Sequence, residues 1–154
     1  MRKGRLKRNW IMIVAGILSF VASIVFKVSP NSFNNFTDLM SASLAFSSIA
    51  TALFLATFSL VPAFTNSKFI IAIQDLGTDM KIMDRLLVST LVFFSSSLLT
   101  FIELLFDANE DNFISILFTS FWIATTVMAL LSTFYIILLL MKAFEYYYES
   151  STKN

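Results

Sequence analysis

Glu103 is the residue in this chain whose setting points most directly to chemistry. It stands in the apolar run LLVSTLVFFSSSLLTFIELLF, about one turn from the end of that run. A carboxylate inside a stretch fit to cross a membrane is costly to bury and marks a functional candidate. Lys27 closes another apolar run at a similar depth, and the two residues form a candidate intramembrane polar pair. A proton or cation relay would need a second ionisable group deeper in the run, and the sequence supplies none. The expectation is therefore an interfacial carboxylate, solvated or paired with Lys27.

Other chemistry is thinly represented. The chain has no His and no Cys, which removes the commonest metal ligand, the usual neutral-pH base and any thiol or disulfide chemistry. Gly4, Gly16 and Gly77 stand alone, so no glycine-rich phosphate loop exists. No nucleophile–base pair or metal cluster is visible, and the expectation is a non-enzymatic protein with no catalytic, cofactor or metal site.

Hydroxyl and small side chains are far more systematic. Ser41, Ala45, Ser48, Ala52, Ala56 and Ser59 fall on one face of a helix, with a second stripe through Ser43, Ser47 and Thr51. Ser89, Ser96 and Thr100, with Ser95 and Ser97 beside them, mark a later run. Thr119, Ser120, Thr125, Thr126, Ser132 and Thr133 mark the last. Small residues at this spacing let helices approach closely and hydrogen-bond across the contact. The Ser41–Ser59 face is the expected helix-contact face; a hydroxyl-lined pore is the rival use of the same residues.

Four apolar runs carry these residues: Trp10–Phe26, Leu39–Phe64, Leu86–Phe106 and Phe113–Met141. Each is expected to be long enough, at about 1.5 Å per helical residue, to cross a hydrocarbon core of about 30 Å. The composition agrees: 57% of the 154 residues are hydrophobic and 14% charged, more apolar surface than a soluble domain of this size can hide. The expected fold is all-α: a single-domain, integral membrane four-helix bundle with short loops and a short inner interfacial helix.

Charge sets the topology. Arg2, Lys3, Arg5, Lys7 and Arg8 precede the first run. With four spans and an inner N-terminus, ten of the eleven Lys and Arg residues lie inside and Lys27 alone lies outside. Positive charge held in the cytoplasm during insertion gives this asymmetry, so both termini are expected to be cytoplasmic. The first run exceeds the 7–15 apolar residues of a signal peptide, and no small-residue cleavage site follows it. An uncleaved signal-anchor helix is expected. Trp10, Phe64 and Tyr146–Tyr148 would then line the inner interface, with Phe33, Phe36 and Phe113 at the outer one.

Three local features refine this picture. Pro30 and neighbouring Asn residues break the first outer loop, and Thr37 is placed to N-cap the second span. Pro62 removes the hydrogen bond to the Phe58 carbonyl, making a kink and a candidate hinge. The inner loop 65–85 spaces Phe69, Ile73, Leu76, Met80 and Met83 on one helical face, with Ser67 as a cap and Gly77 as a stop. Its first piece should lie along the interface, with Phe69, Ile73 and Leu76 as a candidate partner-docking surface. Its second piece, from Asp79, should run on into span three. The last span should likewise project beyond Met141.

Taken together, these features describe a small bacterial plasma-membrane protein, multi-pass and in contact with membrane lipids. It is expected to act as a subunit of a transport, immunity, defence or signalling assembly, through a protein partner or as a homo-oligomer, without nucleic acid. The alternative is an oligomeric, membrane-permeabilising effector of the phage-defence or holin-like kind. Reporter fusions at Asn154 and within Asp107–Asp111 test the topology. A cytoplasmic reporter should be active at Asn154 and silent in the short loop, and the reverse pattern would overturn the arrangement of all four spans.

Overall fold

The computed structural model describes residues 9–60, 79–109 and 111–152. They form four helices: α1 Trp10–Val25, α2 Phe36–Leu60, α3 Asp79–Glu103 and α4 Phe113–Thr152. The fold is an all-α four-helix bundle. Pro62 and the loop residues Phe69, Ile73 and Leu76 lie outside the described residues, as do Ser67 and Gly77.

Three helices are long and apolar enough to cross a membrane: α2, α3 from Ile82, and α4 to Lys142. The first is not. Its 16 residues reach about 24 Å at about 1.5 Å per residue, short of a core of about 30 Å. At the other extreme α4 is one continuous 40-residue helix and overshoots the apolar stretch it carries, as expected of the last span. Likewise α3 begins at Asp79, so the segment before span three is part of the same helix.

Chain order is not packing order. The principal contacts join α1 to α4, α4 to α3 and α3 to α2. Thus α4 and α3 are central, while α1 and α2 sit at the two sides. Asn9, Arg85 and Lys142 meet at one end, called here the terminal end. The Pro30–Ser32 turn and Asp111 meet at the other, the loop end.

Helix α1 lays Met12, Gly16, Phe20 and Ser23 on α4. Gly16 lets the Met128 side chain lie against the α1 backbone: a Cβ there would come within 2.5 Å of the Met128 sulfur and 2.6 Å of its Cγ, so that side chain would have to shift. Phe20 stacks obliquely on Phe121, ring centroids 4.6 Å apart. Two apolar clusters flank the bundle's middle. Ile82, Leu86 and Ile136, with Phe54 and Phe58 beside them, fill the terminal end. Phe36, Met40 and Trp122 fill the loop end. Phe93 sits between, its ring against Phe46 and Phe54.

The ends of the helices follow from local chemistry. Asn112 N-caps α4, its Oδ1 accepting the Ser115 N–H at 2.8 Å. Thr37 does not cap α2: the helix starts at Phe36, and the Asn35 carbonyl accepts the Leu39 N–H. Helix α1 stops at a left-handed residue, Lys27, with φ of 51°. The Val28 N–H reaches back to the Ser23 carbonyl and the Lys27 N–H to that of Ile24, the paired bonds of a Schellman ending. Glycine is the usual residue at that position, since a Cβ there costs roughly 1–2 kcal/mol. Lys27→Gly should therefore raise the thermal unfolding midpoint in detergent, and Lys27→Val should lower it. A drop with glycine would show that the lysine side chain contributes more than its backbone conformation costs.

Candidate functional site: a carboxylate closing a hydroxyl seam

The interior is unusual in composition. Among the described residues, buried polar side chains outnumber buried apolar ones, twelve to ten, while Phe26, Leu53, Leu105 and Phe134 are among the many large apolar side chains facing out. In water that distribution would be costly; in hydrocarbon it is the expected one, because hydroxyls gain partners inside and apolar groups lose nothing outside.

The buried hydroxyls form seams. Between α3 and α4, Ser89 bonds Ser132, Ser96 lies 3.3 Å from Thr126, and the Thr119 hydroxyl donates to Glu103 Oε2 at 3.2 Å. The α3 members recur every seven residues. Their partners recede by six and then seven along α4, as antiparallel helices in a constant register require. Between α2 and α3, Ser97 donates to Ser47 at 2.8 Å and Ser43 lies 3.4 Å from Thr100. Trp122 Nε1 donates to Ser43 at 3.1 Å, so one hydroxyl joins α2 to both central helices.

Glu103 is the last residue of α3 and has no exposed surface. The seven-residue register turns its side chain onto α4, not outward to headgroups. Thr119 contacts one oxygen; the other, Oε1, is buried with no hydrogen-bond partner. The expectation of a solvated or Lys27-paired carboxylate is thus corrected, since its contact is a hydroxyl on the neighbouring helix. Lys27 is exposed and lines a separate hollow with Ser29, Asn31 and Asp111. There Asp111 accepts hydrogen bonds from the Ser29 hydroxyl and from Asn31 Nδ2, tying together the two loop-end connections. Those donors, Ser29 first, hold the Asp111 carboxyl below its ordinary range.

The expected contact face also moves. Ser41, Ala45, Ser48, Ala52, Ala56 and Ser59 are all exposed, and the face that packs on α3 runs through Met40, Ser43, Ser47 and Phe54. That is the secondary stripe of the sequence with aromatic side chains added. Two further participants escaped sequence reasoning. Trp122 was hidden in an apolar run, and Arg85 lies with its guanidinium 4.4 Å from the centre of the Tyr135 ring. The seven-residue step from Ser89 through Ser96 to Glu103 was the available signal for the seam.

No protein-family model, no curated protein and no solved structure matches the chain.

As built, the site can pack helices and hold a carboxyl group away from solvent. A carboxylate with one hydroxyl donor carries a charge-desolvation cost larger than that of its neutral amide. Glu103→Gln should keep the Thr119 contact and preserve or raise thermal stability in detergent. Glu103→Ala should lower stability by about 1–3 kcal/mol, because it strands Thr119 in the seam. Equal losses in both variants would show that the carboxyl itself, not its shape, is required.

Proposed function

We propose that the protein is a non-enzymatic subunit of a plasma-membrane assembly, joined to its partner through helix α2. One observation carries this reading. Helix α2 lies at the side of the bundle, packs principally on α3, and buries 17% of its most apolar stretch, against 33% for α3 and 22% for α4. Its uncovered surface includes the row of Ser and Ala residues from Ser41 to Ser59, flanked by the large apolar side chains of Phe46, Ile49, Leu53 and Leu55. A surface of small side chains and hydroxyls is poorly suited to lipid and well suited to another helix. The pairing of interior hydroxyls with one another supports a packing role for them over a channel through a single protomer.

The assembly is placed in a bacterial plasma membrane with both termini cytoplasmic, a reading supported by the distribution of Lys and Arg. The runner-up is an oligomeric pore, in which the same face would meet a second copy and conduct.

Because the chain has no Cys, a single introduced one can carry a photocrosslinker without interference. Ser48→Cys should give a protein adduct in native membranes, whereas Phe94→Cys, on the exposed surface of α3, should give none. Adding Ala45→Leu or Ala52→Leu should abolish the Ser48 adduct, since a bulky side chain forces the backbones apart. An adduct with a different protein supports the subunit reading. An adduct with a second copy, together with conductance in planar bilayers, favours the pore. No protein adduct at Ser48 would leave α2 facing lipid and remove the basis of both.

A further inference from the structure

The outer side of α4 carries a row of large apolar residues that neither the hydroxyl seam nor the proposed α2 contact uses. Leu130, Phe134, Ile137, Met141, Phe144 and Tyr148 follow one another at alternating steps of four and three. Each is open to the surroundings, from 49% of its area at Ile137 to 68% at Tyr148. We propose that this row is the contact between two copies of the chain, whose α4 helices run side by side as a short parallel coiled coil.

Spacing is the first argument. Steps of four and three mark the a and d positions of a heptad, the pattern by which two helices interlock. Composition alone would not single the row out, because most residues between Phe113 and Lys142 are apolar. Burial does. At the same level Ser132 bonds Ser89, Ile136 joins the cluster of Ile82 and Leu86, and Met128 lies on Gly16. At about 100° per residue those positions point to the opposite side of the helix, so the row is turned away from α1 and α3 alike.

Continuity is the second. The apolar stretch of α4 ends at Lys142, yet the helix runs to Thr152 and the row runs with it through Phe144 and Tyr148. Within hydrocarbon, lipid covers such side chains as well as a helix does. Beyond it, apolar area left in water costs about 25 cal/mol per Å². Phe144 and Tyr148 stay exposed whatever else they touch, so the drive to pair comes from that end. The unbroken register carries the contact down into the membrane.

The third argument fixes the occupant. Copies inserted with one orientation present α4 in parallel, and a heptad row is complementary to itself about a two-fold axis. The row contains no charge, and Lys142, Glu145, Glu149 and Lys153 cancel, so two parallel ends do not repel. Half-exposed residues of this size offer about 100 Å² each, roughly half of what an aromatic side chain can bury. Six from each copy give roughly 1,200 Å² in all, the lower bound of a specific interface. A seven-residue period drifts slowly around an ideal helix, and a left-handed crossing of about 20° absorbs the drift.

The chain has no Cys, so single cysteines on α4 can be oxidised in native membranes at low expression. A disulfide needs Cα atoms within about 7 Å, which the a and d positions of a parallel pair meet and their neighbours do not. Ile137→Cys, Met141→Cys and Phe144→Cys should give dimers at about five times the yield of Leu138→Cys, Lys142→Cys and Glu145→Cys, all at exposed positions. Phe144→Asp sets two like charges on the axis and should cut the Met141→Cys yield several-fold, while the unfolding midpoint of the monomer in detergent stays unchanged. Equal yields at all six positions, or none at any, would show a lipid-facing row and overturn the contact. Disulfides to a different protein would overturn the second copy as occupant. An undiminished Met141→Cys yield beside Phe144→Asp would overturn the row as the interface. The Ser48 adduct of α2 is independent of each of these outcomes.

Discussion

In hydrocarbon an apolar side chain gains little by moving from lipid to a helix interface, so something other than hydrophobic burial must join these helices. Here it is the antiparallel pairing of α3 with α4 through a polar residue every seventh position. Ser89, Ser96 and Glu103 face Ser132, Thr126 and Thr119. Six interhelical polar contacts, counting those of α2, contribute on the order of 3–4 kcal/mol at about 0.6 kcal/mol each. Their larger effect is on register. A slip of one residue along either helix would separate every rung at once and leave hydroxyls facing lipid.

The remaining architecture is arranged around that pair. Helix α2 adds to α3 through a second row, Ser43 and Ser47, and Trp122 anchors it to α4 at the loop end. Helix α1 uses a different device, a glycine that lets the Met128 side chain lie against its backbone, with Phe20 on Phe121. Polar rungs at one side and shape at the other explain why consecutive helices α1 and α2 are not neighbours. The loop between them crosses over and is pinned at Asp111 by Ser29 and Asn31.

Much of this could be read from the sequence, and the failures have physical causes. The existence of four helices followed from the apolar runs, although α1 proved shorter than a span requires, α2 starts at Phe36 rather than Leu39, and α3 ends at Glu103 rather than Phe106. Helical spacing alone placed small residues on two faces of α2 but could not say which face met α3. The choice fell to Phe54 and Met40, whose volume fills the gap beside α3 and which a search for small residues passes over. Glu103 was assigned by depth, on the assumption that a long side chain near a helix end reaches outward. Register overrode depth: the same seven-residue step that buries Ser89 and Ser96 buries Glu103. Lys27 was read for its charge when its left-handed backbone was what the fold used. Side-chain chemistry is visible in a sequence; which residue must take a positive φ at a helix end without glycine is not.

The two ends of the bundle now differ in kind. At the loop end Asp111 is tied to both connections, Glu103 is enclosed, and Trp122 closes the space between three helices. Polar groups there are bound to one another, which restrains motion. At the terminal end Arg85, Asp84 and Lys142 border an open cleft with an apolar wall. A polar group facing an opening can exchange partners, whereas one locked in a seam cannot do so without separating helices. The loop end and the seam supply the rigidity that keeps α1 and α3 apart on α4, and it is this separation that makes the cleft.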